Sequence, residues 1–238
     1  MSSEPLQVIC WRWHTSGYRS TFGPETVNVL RNMVRRWYPA PHRFSCITDD
    51  AAGIDPDIRI IPLPRAHENV PNPGGRLNPS CYRRLWAFSP EAAAVIGPRF
   101  VSLDLDCVIT GDLRPLWDRP EDFVIWGDTA KGTPYNGSMW LHRAGTRPQV
   151  WDTFDPIRSP AEGRRRGYIG SDQAWLAVCL GPDEPTWTAR DGVYSFGNEL
   201  KHGRLPLPPD ARMVQFHGKA DPFVAPWSEI PWVKGEYR

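Results

Sequence analysis

Residues 100–113 read FVSLDLDCVITGDL, an apolar run suited to a buried strand that leads directly into two carboxylates, Asp104 and Asp106. In an extended backbone alternate side chains share a face, so both acids are expected on one side with Leu105 opposite. Carboxylates at the tip of a buried strand must be paired, protonated or bound to a cation. Hard oxygen donors suit Mg²⁺ or Mn²⁺, above all a cation that also takes oxygens from a substrate diphosphate. Asp-x-Asp also occurs as a solvated turn or a helix cap, so its meaning depends on what surrounds it.

The chain around this strand alternates between the two regular periods. Residues 6–13 (LQVICWRW), 43–48 (RFSCIT), 58–61, 108–110, 123–126, 138–142 and 213–216 have the short, β-branched or aromatic character of strands. Pro24 suits the first turn of a helix in which Val27, Leu30, Val34 and Trp37 recur at helical spacing, with Arg31, Arg35 and Arg36 facing away. Asn78-Pro79 caps a second helix through Phe88, and further helices are expected at 90–96, 149–154 and 172–180. Residues 65–79 and 155–170 read as loops. Strands interleaved with helices predict an α/β fold, a single domain with a largely parallel mixed sheet flanked by helices, which 238 residues can furnish with one sizeable core.

A net charge of +1 gives the molecule no global attraction for nucleic acid or membrane. The five cysteines (Cys10, Cys46, Cys81, Cys107, Cys179) are odd in number, lack C-x-x-C spacing and mostly sit in apolar runs. They read as reduced thiols of a cytoplasmic protein, not disulfides or zinc ligands. No signal peptide and no membrane span are expected.

Four short motifs then stand in order. CYRRLWAF (81–88) precedes the Asp-x-Asp strand; YNGSMWL (135–141), GSDQAWL (170–176) and VQFHGKADPF (214–223) follow it. Together they resemble the metal-dependent nucleotide-sugar glycosyltransferases of the GT-A fold, most closely glycosyltransferase family 8, over roughly residues 8–223. The resemblance implies a nucleotide-binding half (1–110) and a sugar- and acceptor-binding half (111–238) that ends in a metal-ligand segment. It implies Arg84 at the donor's diphosphate or sugar, Asn136 and Ser138 along the donor sugar, and Asp172 and Gln173 at the reacting carbon. It makes Asp104, Asp106 and His217 the metal ligands, Asp104 acting on the metal directly, through water, or instead at the donor ribose or sugar, with Lys219 on phosphate. Each residue has a plainer reading: Arg84 a solvated helix arginine, Asn136-Gly137 a hairpin turn, Ser171 or Asp172 a helix cap, His217 a structural histidine. The sequence departs from the family at Asp221, where a lysine is usual.

The expected chemistry is transfer of a sugar from a nucleoside-diphosphate sugar, a UDP-sugar being favoured, to an acceptor hydroxyl. The resemblance implies retention of anomeric configuration. The imidazole donor tips the cation toward Mn²⁺ over Mg²⁺. Trp11, Trp13 and Tyr18, with Thr48, Asp49 and Asp50, are expected to hold the nucleotide. The acceptor is a saccharide or small molecule, or a 5-hydroxymethylpyrimidine in DNA reached by Arg158 and Arg164–Arg166 with Tyr168. Two alternatives remain: a nucleotidyltransferase, against which the glycine-poor loop after the first strand argues, and a non-catalytic nucleotide-sugar-binding protein, which Asp221 favours.

Overall fold

A computed structural model describes residues 4–14, 22–73, 80–127, 132–218 and 220–238. The strands are β1 (Leu6–Arg12), β2 (His42–Thr48), β3 (Arg59–Pro62), β4 (Arg99–Leu103), β5 (Cys107–Ile109), β6 (Phe123–Trp126), β7 (Asn136–Arg143), β8 (Thr186–Trp187), β9 (Val193–Ser195) and β10 (Met213–Gln215). The α-helices are α1 (Pro24–Trp37), α2 (Pro90–Ile96), α3 (Arg114–Trp117), α4 (Gln149–Asp152), α5 (Arg158–Arg165), α6 (Asp172–Leu180) and α7 (Pro231–Glu236).

Seven strands form one sheet in the order β3-β2-β1-β4-β7-β6-β8, and a three-stranded sheet has the order β5-β10-β9. β1, β2, β3 and β4 are mutually parallel, β7 is antiparallel to both neighbours, and β8 is parallel to β6. The expected largely parallel, mixed α/β sheet is therefore present. Both sheets take strands from either side of residue 110.

Strand alternation builds the two cores. Val8 and Cys10, Val101 and Leu103, and Met139 and Leu141 face a cluster that includes Leu30, Met33 and Val34 of α1. Their neighbours Ile9, Phe100 and Trp140 face the cluster of Leu85, Trp86, Phe88 and the α6 residues Trp175 and Leu176. The period of two is what lets one sheet serve both layers.

Four expectations need correction. Residues 81–88 form a 3-10 helix (Cys81–Phe88) preceded by Ser80, and Asn78-Pro79, expected to cap it, lie outside the described residues. Ser89-Pro90 forces the chain extended at Ser89, so the helix stops after two and a half turns or so and α2 starts afresh, its Ala92 N–H donating to Ser89 Oγ at 3.1 Å. Residues 155–170 are not all loop, because α5 forms there. Asp155 accepts from the N–H groups of Ile157 and Arg158, and Glu162 pairs with Arg165 and Arg166 one turn on. Arg31 does not face away: it is only 6% exposed and binds Asp55 and Asp57 in the segment before β3. Finally, the extended path through 104–106 is broken. β4 ends at Leu103, and after a bend the chain enters the other sheet at Cys107.

Candidate active site

From β1 the chain winds outward to β2 and β3, then returns to place β4 on the other side of β1. This is a topological switch point, and ligands in open α/β sheets bind beyond the carboxyl ends of the strands there. The register sets Arg12 beside Thr48 and Cys10 beside Leu103. Trp13, Thr48–Asp50 and Asp104 consequently share one sheet edge.

Arg84 binds this edge together from the helical layer. Its Nε donates to Asp172 Oδ2 at 2.7 Å, and another of its nitrogens pairs with Asp104. Its guanidinium also lies over the Trp140 ring, 5.3 Å from the centroid. The side chains of Arg84 and Asp172 are 5% and 3% exposed, whereas Asp104 is 26% exposed. Of the three, Asp104 is the one a ligand reaches first. Burial raises the Asp172 carboxyl above the usual carboxylate range, with Arg84 opposing it. Burial would lower Arg84, but Asp104 and Asp172 more than compensate and hold its proton.

Residue by residue, the plainer readings of this cluster fail. Arg84 is buried, not solvated. The Ser171 hydroxyl accepts from Cys81 N at 3.0 Å and Asp172 is bound to Arg84, so neither side chain caps α6. Asn136-Gly137 is not a turn but the start of β7. Asn136 Oδ1 accepts from Ser138 N at 2.9 Å, and Ser138 O accepts from Asp104 N at 2.8 Å, tying this segment to the strand tip. Gln173 spans the same place, accepting from Gly137 N at 3.3 Å and donating to Ile169 O at 2.9 Å.

Gly137 itself was not singled out by sequence, yet a Cβ there would meet an Arg84 nitrogen at 2.8 Å and Asp172 Oδ2 at 3.0 Å. Only glycine lets β7 approach the ion pair this closely. The Asn-Gly pair was the available signal, and it reads equally as a turn.

The second cluster joins the middle of the chain to its C-terminal part. β10 runs antiparallel to β5, with Gln215 opposite Cys107, and Phe216 N donates to Asp106 O at 2.8 Å. This brings the His217 segment against Asp106. Imidazole Nε2 of His217 lies 2.6 Å from Ser195 Oγ, which also accepts from Asn198 N at 3.0 Å. The Trp126 ring packs 6.2 Å from the imidazole. Ser195 lies in a part of the chain with few regular signals, and nothing in the sequence pointed to it. Asp221 is buried, 5% exposed.

The nucleotide-side residues fall out differently. Trp11 is a core residue whose indole N–H donates to Ser102 Oγ at 2.9 Å, so its face is packed and a base has no access to it. Trp13 is half-buried at the edge of the same core. The Thr48 hydroxyl closes a tight turn with Asp50, and Asp49 accepts from His14 N at 3.1 Å. Tyr18 and Lys219 lie outside the described residues.

Among the described residues no group of three or more His, Cys, Asp or Glu side chains is set to hold a metal by itself. The donor set fits a cation only as one shared with substrate oxygens, for which one or two carboxylates suffice. Asp106 and His217, whose backbones the β5–β10 pairing brings near each other, are the residues that would hold it. Also among the described residues, no helix is long and apolar enough to cross a membrane, and all five cysteines are free.

The fold has solved counterparts. The galactosyltransferase LgtC, solved in complex with donor and acceptor sugar analogues, is similar with a TM-score of 0.64 at 14% identity over 96% of this chain and 93% of that one. The glycosyltransferase GlyE of Streptococcus pneumoniae TIGR4 is similar with a TM-score of 0.60 at 12% identity, over 99% of this chain and 62% of that one. A glycosyltransferase involved in glycosylation of the major capsid of PBCV-1 gives a TM-score of 0.52 at 14% identity, covering 91% and 95%. No family model and no curated protein matches the chain in sequence. With strand order, switch point and these likenesses together, the chain has a GT-A-like fold, the fold of the glycosyltransferases it is similar to.

Proposed function

We propose that the protein is a metal-dependent glycosyltransferase that moves a sugar from a nucleoside-diphosphate sugar, preferably a UDP-sugar, to an acceptor hydroxyl with retention of configuration. The observation that carries this reading is the pairing of β5 with β10, which sets the His217 segment against Asp106 beside the switch point. Bound there with Asp106 and His217, Mn²⁺ (or Mg²⁺) supplies neutralisation of the leaving diphosphate. Asp104 is the exposed member of the Arg84 cluster and meets the ribose or sugar. Asp172 and Gln173 flank the sugar from the α6 end, Asn136 and Ser138 from β7. The glycosidic bond breaks through an oxocarbenium-like state, which the Gln173 carbonyl and the Asp172 carboxylate stabilise. The departing phosphate takes the acceptor's proton. Trp13, Asp49 and Asp50 contact the nucleoside.

A saccharide or small-molecule acceptor is favoured over DNA. Arg165 and Arg166 both spend their charge on Glu162, which leaves less for a phosphate backbone.

The test is release of nucleoside diphosphate from a panel of nucleotide sugars. Release should need Mn²⁺, stop with chelator, and fall about 100-fold or more in Asp106→Asn without loss of fold. Pyrophosphate release from a nucleoside triphosphate would make the protein a nucleotidyltransferase instead. Donor binding without turnover would make it a binding protein.

A further inference from the structure

A second concave, charged place lies at the opposite end of the sheet. Where β2 begins, a cavity of about 260 Å³ is lined by Arg31 and Arg35 of α1, His42 and Arg43 of β2, and Asp57 and Arg59 at the entry to β3. Four arginines face one aspartate. β2 runs seven residues from here to Thr48, so at about 3.3 Å per residue the cavity is roughly 20 Å from the proposed donor edge. Nothing in the proposed transfer reaction uses it.

Two features mark this cavity as built to take an anion. Arg31 is 6% exposed, and although its terminal nitrogens bind Asp55 and Asp57, its Nε is buried with no hydrogen-bond partner among the described residues. A buried donor left unmade is costly, and a shift of the guanidinium would bring an incoming oxygen within its reach. Arg43 and Arg59 stand close on neighbouring parallel strands, Arg59 being the register partner of Ser45, two residues after Arg43. Among the described residues neither side chain makes a hydrogen bond or an ion pair. Two unpaired like charges on adjacent strands repel each other, and an anion between them relieves this.

We propose that this cavity is a second, phosphate-selective site that takes the phosphate group of a small molecule. Guanidinium forks match phosphate oxygens two at a time, and Arg43 and Arg59 present them from the sheet while Arg31 lines the helical side. Asp57 pins the Arg31 and Arg35 side chains, which pre-organises the helical wall. Its distance from the donor edge makes it a docking or regulatory site and not a reaction centre.

Isothermal titration with inorganic phosphate, the donor site being filled with nucleoside diphosphate and Mn²⁺, tests this. Both exposed arginines are replaced together, Arg43→Gln/Arg59→Gln, with circular dichroism to confirm the fold. Phosphate should bind the wild type with one-to-one stoichiometry and the double variant at least about tenfold more weakly. Titration with adenosine monophosphate in place of phosphate distinguishes a phosphorylated metabolite from the free ion, and tighter binding of either, lost in the variant, supports the site. Equal phosphate affinity in both proteins, or none in the wild type at millimolar phosphate, overturns it. So does binding confined to a DNA duplex, which would make the cavity a nucleic-acid contact. Failure here leaves nucleotide-sugar turnover untouched, because neither arginine belongs to the proposed transferase machinery.

Discussion

The two ends of β7 bury polar groups in opposite ways. At its start, Gly137 admits Arg84 against Asp172, and Arg84 reaches on to Asp104, so each charge has a partner. Near its end His142 is fully buried between Phe88, Phe100 and Phe123, and neither ring nitrogen has a partner among the described residues. Burial lowers the His142 pKa to about 3, so the ring is a neutral aromatic filler. One strand therefore carries a charged device and an inert one, and what separates them is the supply of partners, not residue type. Buried charge is tolerated where it is paired and neutralised where it is not.

The sharpest way to break this contrast is to remove the shared cation. Arg84→Ala leaves the Asp172 carboxylate buried and alone, a loss of about 3–5 kcal/mol in unfolding free energy. Urea unfolding at neutral pH measures it. Arg84→Met combined with Asp172→Asn should recover much of the loss while remaining inactive, because it removes both charges together. A loss below about 1 kcal/mol in the single variant would mean that the pair is screened like an ordinary surface bridge.

How far the sequence announces this arrangement differs between the two layers. The parallel strands were legible because each buries both faces and reads as a compact apolar run. That logic placed β1, β2 and β4, and with them the edge bearing Asp104. The bend after Leu103 was not legible: Asp106 continues the same apolar rhythm, and only long-range pairing with β10 draws it into another sheet. β8 and β9 are two and three residues long, too short to show any period, so Ser195 stayed hidden. Arg31 was misread because helical spacing identifies an apolar face but not a buried ion pair beside it. Ordered motifs, in contrast, located Arg84, Asn136, Asp172 and Gln173, which the fold does bring together, although the motifs gave no hint that Arg84 would hold two of the acids.

The next prediction concerns the inert end. A histidine neutral in the folded state but protonated in the unfolded one costs stability as pH falls below its unfolded value of about 6.5, progressively down to about 3. Its share of stability is thus fully present above about pH 7 and is reduced by about 2 kcal/mol at pH 5. Exposed carboxylates add their own acid dependence, so the comparison is between proteins: His142→Leu should lose less stability than wild type between pH 7 and pH 5, by that amount. Parallel curves would show that His142 is protonated inside the core and has found an acceptor.

The smallest expected effect asks whether His217 belongs with His142 or with the charged device. Both imidazoles pack against aromatic rings, His217 against Trp126, but His217 has a hydroxyl at 2.6 Å, and that hydroxyl is itself fixed by Asn198 N. Such a partner orients a ring for a ligand's role, and removing it from a metal-bound histidine typically weakens the metal about 10–100-fold. Ser195→Ala should therefore lower Mn²⁺ affinity, measured calorimetrically with nucleoside diphosphate present, by about tenfold, or about 1.4 kcal/mol. The packing around the ring is unchanged in that variant, so a purely structural histidine predicts no change in metal affinity at all. If Mn²⁺ binds both proteins equally, His217 is filler like His142, and the proposed cation takes its other donors elsewhere.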